Sequence, residues 1–357
     1  MSSVEQYKKD SMNQINHEDK AGKLHTVSVV IPTYNEEKYI CQCLDSNITS
    51  DYPKDKLEIL VVDGMSTDRT REIVKQFSQD YPYIRLIDNP NRFTPFAFNL
   101  GIRNSQKDIV IIMGAHADYA PDYISKCVYY LNEYKADNVG GVLKTVSRDN
   151  TLIGKAIAIS LSHPFGVGNS KFRTGSKEPR LVDTVFGGCY RADVFYRIGL
   201  FNENLIRTQD MEFNHRLSQA GGRILLMPKI VTKYYPHSDL ISFIKHNFSD
   251  GQWSILPFKY SSNPVRFRHL LPFIFVSGLI LGPVFSLIHK YLFWLYAVVL
   301  ILYLSLNIYF SFQVALKQKD LRLFFPLLIV FPSRHISYGL GSLIGFMKLL
   351  FSWKKEK

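Results

Sequence analysis

Short apolar runs alternate with amphipathic stretches through the N-terminal part of the chain. Thr26-Val-Ser-Val-Val-Ile31 is a β-branched run ended by Pro32, and Asn35 precedes Glu36 and Glu37 at the start of a helical stretch reaching about Ile48. Leu57-Glu-Ile-Leu-Val-Val62 then runs into Asp63-Gly64, and a helix is expected from Ser66 or Thr67 to Phe77. The pattern repeats with a strand over Ile84–Asp88, a helix over Thr94–Asn104 and a strand over Asp108–Met113 that ends in Gly114-Ala-His-Ala-Asp118. Apolar strands alternating with helices predict an α/β domain whose mostly parallel sheet is covered by helices, with ligands at the carboxyl ends of the strands. Asn35, Glu36, Asp63, His116 and Asp118 all fall at such ends.

From about Tyr119 to His237 the pattern is mixed α and β. It includes Gly187-Gly-Cys-Tyr190, a helix from about Asp210 to Ala220 and a short strand near Ile224–Leu226. Further on, 270–288 and 291–316 carry no charged residue, and each is long enough for the ~20 residues that cross a bilayer. His289-Lys290 leaves room only for a tight turn, so the two are expected to form a helical hairpin. The basic stretch Lys317–Arg322 marks its outer ends as cytoplasmic. The last apolar stretch, 323–351, contains Pro326, Pro332, Arg334 and His335, followed by Gly339, Gly341 and Gly345. Two arrangements stay open for it, one interrupted span or a re-entrant pair of short helices. Residues 1–25 thus read as a polar lead-in, 26–255 as the α/β domain and 256–357 as a membrane region.

The mean hydropathy of −0.05 averages a polar start with an apolar end, and the net charge of +12 is concentrated near the hydrophobic region, in Lys259, Arg266, Arg268, Lys317, Lys319, Arg322, Lys354, Lys355 and Lys357. Such flanks suit a membrane surface. No basic helix, zinc-ligand set or RNA-binding aromatic motif accompanies the charge, which argues against a nucleic-acid partner. Cys41, Cys43, Cys127 and Cys189 match neither a CxxC metal site nor a disulfide framework, so reduced thiols are expected. The N-terminus carries no apolar export segment, which predicts a multi-pass membrane protein with its α/β domain in the cytoplasm.

Several ordered motifs between Thr26 and His237 together resemble the family-2 inverting glycosyltransferases of GT-A fold, within the branch that builds succinoglycan-type exopolysaccharides. Val29-Val-Ile-Pro-Thr-Tyr-Asn-Glu-Glu37 is similar to the family's first motif, which implies nucleotide contacts from Pro32, Tyr34 and Glu36. Val61-Val-Asp-Gly-Met-Ser-Thr-Asp-Arg-Thr70 resembles the second, in which the aspartate equivalent to Asp63 pairs with the base. A carboxylate at a strand end can accept from ribose hydroxyls or a base N–H, although Asn35, Glu36 and Asp68 also suit helix capping. Asn91 and Asn99-Leu-Gly101 look like the segment beside the nucleotide, and Arg92 suits either a phosphate or solvent.

At the fourth strand end the family carries a metal-binding DxD motif, where this chain has Gly114-Ala115-His116. The resemblance assigns Ala115 to the nucleotide side and implies a divalent cation, Mg2+ or Mn2+, held by His116, Asp118 and His237. Imidazole favours Mn2+ over Mg2+. Thr208-Gln-Asp-Met-Glu212 resembles the acceptor motif whose aspartate is the general base, which assigns that role to Asp210. A capping role for the following helix is compatible with it. Gln252 and Trp253 stand without the Q-x-x-R-W pattern of processive members. The resemblance implies transfer of a sugar from a nucleotide sugar, a UDP-sugar foremost, to a lipid-linked or saccharide acceptor, within a polysaccharide-assembly complex. A processive synthase and a catalytically silent nucleotide-binding scaffold are the alternatives.

Overall fold

The β-branched runs become strands. The computed structural model describes residues 24–260 and 267–353; the expected lead-in up to Lys23, Arg266 and the terminal lysines lie outside the described residues. In chain order the elements are β1 (Val27–Thr33), α1 (Ile40–Ile48), β2 (Leu57–Asp63), α2 (Thr70–Asp80), β3 (Ile84–Asp88), α3 (Thr94–Asn104), β4 (Ile109–Ile112), β5 (Ala117–Tyr119), α4 (Tyr123–Glu133) and β6 (Asn138–Thr145). There follow α5 (Leu152–Ser160), α6 (Pro164–Val167), α7 (Lys171–Thr174), β7 (Arg180–Leu181), β8 (Cys189–Arg191), α8 (Asp193–Ile198), α9 (Gln209–Gln219), β9 (Ile224–Tyr234) and α10 (Leu240–Ile255). Three long helices complete the chain, α11 (Phe267–Ile288), α12 (Lys290–Lys317) and α13 (Phe324–Trp353).

The chain divides into two compact units. The first holds the residues up to Val142 with Ser176–Leu200 and Leu217–Thr232; the second holds Leu143–Gly175, Phe201–Arg216 and the residues from Lys233 onward.

In the first unit the strands form one sheet in the order β3-β2-β1-β4-β8-β6-β9-β5, with β7 beside β9. β3, β2, β1 and β4 are parallel, and β8 runs antiparallel to β4 and β6. Strands buried on both faces need apolar residues throughout, and Val27, Val29, Val30 and Ile31 of β1 are all fully buried. The chain moves outward from β1 through β2 to β3, then returns to the other side of β1 for β4. This reversal opens a crevice at the carboxyl ends of β1 and β4. β1 runs past Pro32, where an end was expected. Its pairing with β4 stops at Val30 while that with β2 continues to Thr33, so the missing N–H of Pro32 costs no bond on the β4 side. β9 is also longer than expected, because Lys229, Val231 and Lys233 face outward while Ile230 and Thr232 are buried.

In the second unit α11, α12 and α13 are each long and apolar enough to cross a membrane. They expose large apolar side chains such as Ile280, Val284, Trp294, Ile301 and Phe325. The stretch 323–351 forms one continuous helix after the short turn Leu321–Leu323, not a re-entrant pair. Pro326 stands in its first turn, where no intrahelical N–H bond is lost, and the later glycines are contact points. A Cβ on Gly341 would lie 1.9 Å from the Phe248 carbonyl oxygen, and one on Gly345 would lie 2.3 Å from that of Gln252. From the other side, a Cβ on Gly251 of α10 would lie 2.0 Å from the Tyr338 oxygen. The two helices therefore meet backbone to backbone, as small-residue faces permit. Gly341→Ala is expected to destabilise the full chain by about 1–3 kcal/mol through overpacking. Thermal unfolding in detergent measures this, and an unchanged midpoint would contradict the close approach.

Candidate functional site

In the first unit the loops after β1, β2 and β3 are tied to one another. Asn35 adopts a left-handed backbone (φ 56), which Asn tolerates better than most residues. Its N–H donates to Ser66 Oγ at 2.8 Å, and its Oδ1 accepts from the Thr67 N–H at 2.9 Å. The Glu36 N–H donates to Thr70 Oγ1 at 2.7 Å, and the Glu37 N–H to Asp68 Oδ2 at 3.1 Å. Asp68 also accepts from the N–H and hydroxyl of Thr70, so it caps α2, which begins later than expected. Gly64 has no room for a side chain, since a Cβ would lie 2.9 Å from the Arg92 carbonyl oxygen.

Asp63 is fully buried and its carboxylate is well supplied with donors. Ser66 contributes its N–H at 2.9 Å and its hydroxyl at 2.5 Å, Thr33 its hydroxyl at 3.3 Å, and Arg71 an Nη1–H at 2.8 Å. Arg71 in turn reaches Asp88 Oδ1 at 2.8 Å. Ser66 and Arg71 were not singled out from the sequence, because their role follows from the loop closing back on Asp63. Tyr34 is exposed, with the Arg92 guanidinium 6.0 Å from its ring centre, and Pro32 is half-buried at the strand end. Asn99 and Ala115 are buried.

The residues after β4 bear on metal binding. Gly114 donates its N–H to the Tyr119 hydroxyl at 2.8 Å, and a Cβ there would meet only Phe186 Cζ, at 3.9 Å. The position that is aspartate in DxD motifs thus has space for a side chain. His116 is exposed, its Nε2 lies 3.0 Å from Glu36 Oε1, and its ring meets Tyr39 edge-on at 5.2 Å. Glu36 Oε2 is buried without a hydrogen-bond partner among the described residues. Asp118 lies on the opposite face of β5 from the buried Ala117 and Tyr119. Among the described residues no three His, Cys, Asp or Glu side chains gather as a metal centre. The arrangement fits a cation that takes few protein ligands and completes its shell with substrate and water oxygens. An imidazole beside a carboxylate suits Mn2+ better than Mg2+.

In the second unit, Thr208 takes a left-handed backbone (φ 61), uncommon for a β-branched residue, and precedes α9 directly. Its hydroxyl lies 2.5 Å from the Arg207 carbonyl oxygen and 3.0 Å from that of Trp253, and shares its proton between them. Asp210 follows in the first turn of α9 and is half-buried. It is not the cap itself: its carboxylate accepts from its own N–H and that of Met211. Burial pushes this carboxyl above the ordinary range, those N–H groups hold it back, the Asp250 carboxylate adds to the rise and Arg173 opposes it. Asp250 pairs with Arg207 at 2.6 Å and with His246 Nε2 at 3.4 Å. His237 belongs to this unit too, its ring 5.9 Å from that of His246. Arg173, Arg207, His246 and Asp250 were not legible in the sequence, since they stand in no motif and come from three separate parts of the chain, with His246 and Asp250 one turn apart on α10.

Residues 28–199 match the family model described as Glycosyl transferase family 2. A Methanococcus voltae enzyme, dolichyl N-acetyl-alpha-D-glucosaminyl phosphate 3-beta-D-2,3-diacetamido-2,3-dideoxy-beta-D-glucuronosyltransferase, is 34% identical over 236 residues, which cover 64% of this chain and 72% of the enzyme. The chain belongs to glycosyl transferase family 2. Succinoglycan biosynthesis protein ExoA of Rhizobium meliloti is 28% identical over 263 residues, 69% of this chain and 78% of that protein. Among solved structures, the mannosyltransferase PcManGT of Pyrobaculum calidifontis, in complex with GDP-Man and Mn2+, superposes with a TM-score of 0.59. The match covers 95% of this chain and 92% of that one at 19% identity. That likeness concerns the fold, which is GT-A. This family 2 member is a nucleotide-sugar-dependent glycosyltransferase whose C-terminal helices associate it with a membrane. The four cysteines are free thiols, as their spacing predicts.

Removing Arg71 would leave the Asp63 charge buried with only neutral donors. Arg71→Met is expected to cost about 3–5 kcal/mol, read by chemical denaturation of the full chain in detergent. A loss below about 1 kcal/mol would mean that the pair does not support the loop.

Proposed function

We propose that this glycosyltransferase moves one sugar, with inversion, from a UDP-sugar to a hydroxyl of a lipid-linked saccharide, in a multi-pass membrane protein whose catalytic domain faces the cytoplasm. The observation that carries the reading is the Asp210 carboxyl at the start of α9, raised above the ordinary range by burial. A base for an alcohol needs a carboxylate with more proton affinity than one free in water. In the proposed step the acceptor oxygen attacks the anomeric carbon, Asp210 takes the hydroxyl proton, and the bond to the nucleoside diphosphate breaks with its electron pair on the phosphate oxygen. The M. voltae relative, whose name includes a dolichyl-linked sugar phosphate, supports a lipid-linked acceptor, and the apolar helices suit one.

Pro32, Tyr34 and Glu36 are assigned to the base and ribose, with Tyr34 exposed for stacking, and Asn99 and Ala115 to the wall beside them. Asp63 would accept a base N–H in place of the long Thr33 hydroxyl bond at 3.3 Å, the weakest of its four. His116, beside the Glu36 carboxylate, is assigned to a divalent cation, Mn2+ before Mg2+, which when bound would offset diphosphate charge; Asp118 and His237 do not gather with it as a three-ligand centre among the described residues. The Glu36 carboxylate next to His116 keeps its imidazole oriented.

Asp210→Asn should lower kcat by about 10²–10⁴-fold with UDP affinity retained, measured by transfer to a lipid-linked acceptor and by calorimetry. Because the Asp210 pKa is raised and only the deprotonated form is a base, the wild-type acid limb should lie above the ordinary aspartate range and vanish in the variant. Unchanged turnover would refute the assignment. Gly114→Asp, for which there is space, should fold normally and raise activity with Mg2+ relative to Mn2+. An identical metal profile in both proteins would count against a cation at this loop.

A further inference from the structure

The second unit contains a small cavity of about 40 Å³, open on one side to solvent and lined by Arg173, Tyr234, His237, His246, Asn247 and Arg334 among others. Its two permanent cations come from distant parts of the chain, and each is built in. Arg334 donates from Nε to the Gly166 carbonyl at 2.7 Å and from Nη1 to Asn247 Oδ1, and Asn247 is itself held by the Phe243 carbonyl at 2.7 Å. Arg173 rests against the rings of Phe172 and Tyr234, with its guanidinium 5.3 and 5.8 Å from their centres. Its Nη1 is buried with no hydrogen-bond partner among the described residues. An unanswered guanidinium N–H is costly and asks for an acceptor oxygen. Asp250, the cavity's carboxylate, is already engaged by Arg207 at 2.6 Å and by His246 at 3.4 Å. The cavity therefore keeps a positive balance, suited to an anion with several oxygens.

Two observations say which anion. Arg334 stands on α13, one of the three helices apolar enough to cross a membrane, where a cation is costly unless it serves a ligand or pathway. Asp250 on the cavity wall pairs at 2.6 Å with Arg207, three residues before Asp210 in the chain, so what fills the cavity lies near the proposed base. We propose that Arg173 and Arg334 form the phosphate subsite for the acceptor, gripping the phosphate or diphosphate that joins its sugar to the lipid. This rests on the lipid-linked acceptor proposed above and adds where its charged end is held. The lipid chain would then lie along the apolar helices while the sugar reaches toward Asp210.

Full-length protein in phosphatidylcholine nanodiscs, titrated with farnesyl phosphate, farnesol, inorganic pyrophosphate and UDP, tests this. Farnesyl phosphate should bind more tightly than farnesol or pyrophosphate. Arg173→Gln and Arg334→Gln should each weaken it by about tenfold or more, the usual effect of losing a charged hydrogen bond, while UDP affinity stays constant. If Arg334→Gln does not fold, Arg173→Gln carries the test alone. Unchanged farnesyl phosphate affinity in the variants would overturn the proposal. So would pyrophosphate binding as tightly as the lipid, which would indicate a free-anion site. A parallel loss of UDP affinity would give the cavity to the donor diphosphate and overturn it as well. The acceptor reading fails separately: arginine-dependent binding of farnesyl phosphate without transfer to any lipid-linked sugar would sink that reading and leave the subsite standing.

Discussion

The second unit depends on the direct approach of the α10 and α13 backbones. Gly251, Gly341 and Gly345 have no space for even a methyl group, so any side chain at these points would wedge the helices apart. The approach brings Asn247 of α10 against Arg334 of α13, and that pair forms one wall of the cationic cavity. A seam of glycine gains little hydrophobic area. It gains position, which a charged pocket beside apolar helices needs more.

The first unit solves a different problem. The residues proposed to meet the nucleotide sit largely on loops, and loops are mobile unless their polar groups are bound. Asn35, Ser66, Thr70 and Asp68 bind the β1 and β2 loops to each other, and Arg71 links Asp63 to Asp88 at the end of β3. Most of the polar side chains in the two motifs are therefore spent on holding shape. Tyr34 and His116 stay exposed.

Much of this was legible in the chain. The runs at 27–31 and 57–62 are so rich in β-branched residues that buried strands were the plain expectation, and Asp63 and Asp210 drew attention because they stand in ordered motifs. Other features were hidden for physical reasons. Pro326, Pro332 and the glycines of α13 read as helix breaks, yet Pro326 fits the first turn, the helix continues through Pro332, and the glycines mark where another backbone touches. Pro228 and Lys229 hid the second half of β9, whose outward charges belong to one face of a strand. Arg173 and Arg334 are joined only by folding, and no periodicity links them. Gly114 was legible as a missing carboxylate, but only the structure shows that the space for one persists.

Thr208, just before the α9 turn that carries Asp210, shares its hydroxyl between the Arg207 carbonyl and the Trp253 carbonyl on α10, and α10 is seated on α13. A tilt of α13 would thus reach Asp210 through one shared hydrogen bond and one close helix contact. Helices of this kind tilt to match the hydrocarbon around them. On the proposed assignment of Asp210, bilayer thickness would then bear on the geometry of the transfer step.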